Sequence, residues 1–143
     1  MERVFSELSE NPIRRSVWYW SPLVIYAAII FYLSSLPHPE EQLPKLLLEN
    51  LGDKALHVIE YAVFAVLAYR PFRRAAGPAA ARQAVLLTIA AASFYGMTDE
   101  IHQAFVPFRE SSWLDWVADT LGGVIGAVGA KSMLERVSRP SVS

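Results

Sequence analysis

Residues 16–37 read SVWYWSPLVIYAAIIFYLSSLP, a stretch without one charged side chain. At about 1.5 Å of rise per residue, a helix of this length crosses the roughly 30 Å hydrocarbon core of a bilayer. Trp18, Tyr19 and Trp20 stand at one end of the run, where amphipathic rings settle at a membrane–water boundary. A secretory signal has a shorter apolar region and a small-x-small cleavage site behind it, and this stretch has neither. It is therefore expected to remain as a first membrane span, over 17–37.

Three further apolar segments follow, at 53–70 (DKALHVIEYAVFAVLAYR), 83–105 (QAVLLTIAAASFYGMTDEIHQAF) and 113–133 (WLDWVADTLGGVIGAVGAKSM). Each reaches spanning length only when polar residues at one end are taken into the helix. Breakers separate them: Pro37, Pro39 and Pro44, then Pro71, Gly77 and Pro78 within 70–82, then 107–112 opening on Pro107. The expectation is an all-α, four-helix transmembrane bundle forming one domain over 1–143. A soluble bundle could take the last three segments but leaves the first unburied. Composition agrees, since 53% hydrophobic against 19% charged residues excludes disorder, and the absence of cysteine excludes a disulfide scaffold. With 13 basic and 14 acidic residues, no basic nucleic-acid surface is expected.

Charge placement supplies an independent orientation. Four spans put both termini and the 70–82 loop on one side, which then holds Arg3, Arg14, Arg15, Arg70, Arg73, Arg74, Arg82, Lys131, Arg136 and Arg139. The other side keeps only Lys45, Lys54 and Arg109, together with ten of the 14 acids. Short loops rich in Lys and Arg stay cytoplasmic, so both termini are expected inside. Anionic headgroups would gather at Arg70, Arg73 and Arg74.

The polar residues inside the helices crowd toward the ends that this topology turns outward. Asp53, His57 and Tyr61 recur four apart, as do Tyr95, Asp99 and Gln103, and again Asp115 and Asp119, so each set lines one helix face. Three stripes at one depth predict a shared polar cavity open to the outer side. Ionisable groups within a bilayer cost about 2.5–3.5 kcal/mol at its centre, so they normally face protein or water and mark function. Structural readings compete at some positions. Asp53 after Gly52 fits a helix N-cap, and Ser112-x-x-Asp115 fits a capping box. Asp99 and Glu100 lie at a helix C-terminus, where the macrodipole disfavours carboxylates, and have no such explanation. Arg109, close to so many acids, reads as their counter-ion. In the fourth segment Ala118, Gly122, Gly126 and Ala130 form a small-x-x-x-small ridge, with Gly123 and Gly129 alongside, which suits close helix packing within the chain.

The combination Asp53-Lys54-x-x-His57-x-x-x-Tyr61, Thr98-Asp99-Glu100-x-His102-Gln103, Pro107-x-Arg109 and Asp115-x-x-x-Asp119-x-x-Gly122 resembles the VanZ-like family of small membrane proteins. Ser34, near the end of the first span, also looks like a family position, and the resemblance runs from about Ile29 to Gly126. One departure is Pro107-Phe108-Arg109 where the family carries Pro-Gly-Arg, so the tight turn of that loop loses its glycine while the arginine is kept. The resemblance implies a family named for a protein that lowers susceptibility to the glycopeptide teicoplanin, a phenotype and not a chemistry.

The chemistry is argued from the residues. A catalytic reading takes His57 as a base oriented by Asp53, with Asp99 or Glu100 as acid. Lys54, Tyr61, Gln103, Arg109, Asp115 and Asp119 would complete a binding site for a polar cell-envelope molecule, such as a lipid-linked or peptidoglycan precursor or a glycopeptide-related ligand. A non-catalytic binding protein is the alternative. A divalent cation is a further option, with Asp99, Asp119, His57 and His102 as candidate ligands, although their spacing matches no established metal motif. No nucleotide or dinucleotide cofactor motif is present. A proton-coupled carrier is disfavoured, because the inner halves VFAVLAY and AVLLTIAAA hold nothing to complete a path.

Overall fold

The chain was analysed as a computed structural model, which describes residues 11–37 and 52–137. Among these residues the secondary structure is entirely helical: α1 (Pro12–Ser34), α2 (Asp53–Arg74), a short α3 (Pro78–Arg82), α4 (Ala84–Gln103) and α5 (Trp113–Val137). The proline-bearing loop around Pro39 and Pro44, and the charges at Arg3, Lys45 and Arg139, lie outside the described residues.

Local chemistry explains most boundaries. Asn11 caps α1, its side-chain oxygen accepting from the amides of Ile13 (3.0 Å) and Arg14 (3.3 Å), and Pro12 follows at a position whose missing N–H costs nothing. These signals start the helix at Pro12, five residues before the expected 17, and it ends at Ser34. Gly52, at φ 71°, stands before α2, so Asp53 is a first-turn residue and not the cap. Pro71 was expected to break the second segment at Arg70. Instead α2 runs on past Pro71 to Arg74, as α1 runs on past Pro22; the proline withholds one amide bond, while its carbonyl accepts the amide of Ala75 at 2.7 Å. Residues 78–82, expected as loop, close into α3.

The expected capping box at the start of α5 forms only in part. Ser112 Oγ accepts from the amide of Leu114 at 3.2 Å, but Asp115 turns away to Lys54. The bond back to the Ser112 amide comes from Glu100 on α4, at 2.7 Å. A carboxylate disfavoured at the end of its own helix thus meets the positive N-terminal end of the next one.

α2 and α5 run parallel and make the closest contact in the bundle. A Cβ added at Gly122 would strike the Val58 carbonyl, and one at Gly126 would strike the Ala62 carbonyl. The small-residue ridge is therefore an intramolecular seam, as expected. α4 joins it through Gly123 against Ala92, while Trp116 Nε1 donates to the Ser93 carbonyl at 2.9 Å. α1 lies at the side, with only Leu23, Ile30 and Ser34 buried, held by Tyr95 OH to the Ala27 carbonyl (2.6 Å) and Tyr26 OH to the Glu60 carbonyl (3.3 Å).

The interior is made largely of Ala65, Ala68, Ala92, Ala118 and Ala127 with a few aromatic rings, among them Phe64 stacked on Tyr95. The large aliphatic side chains Val24, Ile25, Leu86, Leu121 and Ile125 point outward. Small inside and large apolar outside is the distribution suited to lipid, where burial of aliphatic surface does not drive helix association. Three helices, Pro12–Ser34, Asp53–Arg74 and Ala84–Gln103, are long and apolar enough to cross a membrane.

Candidate functional site

The C-terminal ends of α1 and α4 and the N-terminal ends of α2 and α5 meet at one end of the bundle, carrying the three polar stripes with them. A cavity of about 260 Å³ opens there. Tyr26, Ile30 and Leu33 of α1 form its apolar wall, and Ser34, His57, Glu60, Asp99, Gln103 and Arg109 supply its polar lining. Asp53 stands at its rim. Parallel α2 and α5 explain the convergence, because the Asp53–His57 stripe and the Asp115–Asp119 stripe enter from the same side.

Each predicted residue can now be placed. His57 is buried and its Nδ1 lies 2.8 Å from Oδ1 of Asp119, a residue with no exposed surface. The partner of His57 is therefore Asp119, not Asp53, which is exposed and pairs with Lys54 at 3.5 Å. Stripe periodicity puts Asp53 on the same face of α2 as His57, but its first-turn position leaves the carboxylate in the open. Lys54 also forms an ion pair with the buried Asp115, so both are committed to each other at the edge of the site. Asp99 Oδ2 accepts from Gln103 Nε2 at 2.9 Å, an i,i+4 pair inside α4. Glu100 is buried, with Oε2 on the Ser112 amide. Tyr61 is wholly buried beneath the cavity against Phe64 and Tyr95.

His102 belongs elsewhere. Its Nε2 lies 2.9 Å from Ser35 Oγ and its ring sits 4.5 Å from that of Phe31, on the α1 side. Among the described residues, two groups bring candidate metal-ligand atoms within 4.8 Å of one another: Asp53, His57 and Asp115, and the buried His57, Glu100 and Asp119. Of the cation ligands expected from sequence, Asp119 and His57 fall in these groups, whereas Asp99 and His102 do not.

Five buried polar atoms at this end have no hydrogen-bond partner among the described residues: Ser34 Oγ, Tyr61 OH, Glu100 Oε1, Arg109 Nε and Asp119 Oδ2. Buried polar groups are nearly always paired, so such a concentration is a feature of sites that bind something. Sequence reading left several contributors out of the site. The α1 wall residues carry no polar signal. Glu60 is one place off the stripe of His57 and Tyr61. Gly96 allows Asp119 to approach α4, since a Cβ there would lie 2.6 Å from Asp119 Oδ2.

The loop that delivers Arg109 keeps its turn without glycine. Phe108 takes φ 65°, a left-handed conformation that costs a side chain about 1–2 kcal/mol.

Neither a curated protein nor a solved structure matches the chain. A family model described as VanZ/LLP1 does, over residues 6–134, which include every helix start and every site residue described above. On a match of that extent, the chain belongs to the VanZ/LLP1 family.

Proposed function

We propose that the chain is a four-span membrane protein with both termini in the cytoplasm, whose outward-facing cavity binds the headgroup of a cell-envelope molecule. α5 is the fourth span, with Asp115 and Asp119 entering the outer half of the bilayer. The orientation follows from Arg14, Arg15, Arg70, Arg73, Arg74, Arg82, Lys131 and Arg136 at the end opposite the cavity.

The observation that carries this reading is the polar lining of one cavity, in which Arg109 Nε and Ser34 Oγ have no partner among the described residues. Arg109 Nε and Ser34 Oγ can donate to an anionic group, while Asp99 and Glu60 can accept from hydroxyl or amide groups. A lipid-linked cell-wall precursor offers both in one headgroup, a phosphate beside sugar and peptide donors. The apolar α1 wall stands where its lipid chain would lie. Binding alone satisfies this arrangement, and His57 held by Asp119 would supply a base if chemistry occurs.

The test is native mass spectrometry of the detergent-purified chain with a lipid-linked peptidoglycan precursor. One bound precursor per wild-type chain is expected, weakened at least tenfold by Arg109→Gln in protein of unchanged helicity. Equal occupancy in wild type and variant, or none in either, defeats the reading.

A further inference from the structure

The second cluster of ionisable groups reaches deeper than the cavity. His57 from α2, Glu100 from α4 and Asp119 from α5 converge with candidate ligand atoms within 4.8 Å of one another, and all three residues are more than nine-tenths buried. The separation of His57 Nδ1 and Asp119 Oδ1, 2.8 Å, is close to that of two ligands on one metal, since bonds of about 2.0–2.2 Å leave neighbouring ligand atoms roughly 3 Å apart.

The charge balance is incomplete. Two carboxylates are taken out of water here, and His57 offers them at most one positive charge. Lys54 is committed to Asp115 at the rim, and Arg109 lines the cavity. A buried charge without full compensation costs several kcal/mol. A second, independent sign lies in the spare valences: Glu100 Oε1 and Asp119 Oδ2 are inaccessible and have no partner among the described residues. Glu100 Oε2, by contrast, is fixed by the Ser112 amide, the kind of outer support that orients a carboxylate ligand.

We propose that His57, Glu100 and Asp119 hold a divalent transition-metal cation of the zinc or manganese type. One imidazole with two carboxylates suits these ions better than calcium, which prefers an all-oxygen shell. Three protein ligands leave further positions for water or a ligand oxygen. His57 also lines the cavity, so the cation lies one side chain away from a bound headgroup and offsets the acids that would otherwise repel its phosphate. That last consequence rests on the proposed function, whereas the metal site itself does not.

The decisive experiment uses metal alone, without any envelope molecule, so its failure is separate from failure of headgroup binding. Full-length protein in detergent is stripped with chelator, given Zn²⁺ or Mn²⁺, desalted and analysed for metal content. Wild type and Glu135→Gln, an acid at the opposite end, are expected to keep one ion per chain, and Glu100→Gln and Asp119→Asn to bind at least tenfold more weakly. Wild type that keeps no ion, or Glu100→Gln that keeps as much as wild type, overturns the proposal. If the variants misfold, Co²⁺ loading of the wild type decides: ligand-field absorption with nitrogen coordination supports the site, and the spectrum of free aqueous Co²⁺ sinks it.

Discussion

His57 Nδ1 and Asp119 Oδ1 are 2.8 Å apart across the seam between α2 and α5, although 62 positions separate them in sequence. This contact joins the two stripes and fixes which face His57 turns to the cavity. It is sustained by Gly122 one turn further on, whose missing side chain lets the two backbones approach.

Orientation can be read directly, because the chain has no cysteine and a single introduced thiol is unambiguous. Glu110→Cys in the loop beside Arg109 is expected to react with an impermeant maleimide on intact cells. Ala75→Cys, after α2, is expected to react only once the cells are opened. The reverse pattern would refute the orientation.

If the family phenotype extends to this chain, the cavity is where it should reside. Expression in a teicoplanin-sensitive Gram-positive host is expected to lower susceptibility and reduce labelled drug at the surface. Asp99→Asn and His57→Gln, at equal membrane levels, should lose most of that protection while keeping size and part of the hydrogen bonding. Protection unchanged in both would remove the cavity from the account.

The seam predicts a positional contrast among glycines. Gly122→Ala and Gly126→Ala force a methyl onto the Val58 and Ala62 carbonyls and should cost about 1–3 kcal/mol. Gly129→Ala meets nothing within 4 Å and should be neutral or slightly stabilising. Thermal unfolding in detergent distinguishes these outcomes.

Phe108 carries backbone strain that glycine would relieve. Phe108→Gly should raise stability by about 0.5–1 kcal/mol, the left-handed penalty less the extra entropy that glycine loses on folding. Phe108→Val should lower it, since a branched side chain tolerates that conformation least. A higher melting temperature for the valine form would contradict the turn described here.

Lys54 is half exposed and its partner Asp115 buried, so the pair is unequal in its two halves. Lys54→Gln strands a buried carboxylate and should cost about 1–2 kcal/mol, a range reduced for screening at the exposed lysine. Asp115→Asn in the same chain should recover most of that loss. A double-mutant cycle without coupling would show that the pair contributes nothing.

Much of this was legible in the sequence because membrane folds restrict what a chain can do. The uncharged run at 16–37 and the four-residue spacing of Asp53, His57 and Tyr61 each report a rule with few exceptions. The stripes named the residues that the fold gathers at one end, including Asp99, Gln103 and Asp119. Pairings were not legible. Which acid holds His57 depends on the parallel approach of α2 and α5, a tertiary fact, so Asp53 was expected where Asp119 stands. Glu100 looked like a liability because its helix was considered alone; only the neighbouring N-terminus of α5 shows what its carboxylate accepts. Pro71 misled for a different reason: a proline inside a helix withholds one amide bond without forcing the helix to end, and α1 likewise continues past Pro22.

The peripheral seating of α1 has a mechanical consequence. α2, α4 and α5 interlock through glycine and alanine, whereas α1 buries only Leu23, Ile30 and Ser34 and otherwise meets them through ring contacts and single hydrogen bonds such as those of Tyr26, Ser35 and Tyr95. The cavity lies between these unequal partners, so the least work to widen it is spent by tilting α1 outward within the plane of the bilayer. On the proposed orientation and ligand, a molecule with its tail in the outer leaflet would then slide in sideways, headgroup level with Arg109, without leaving the lipid.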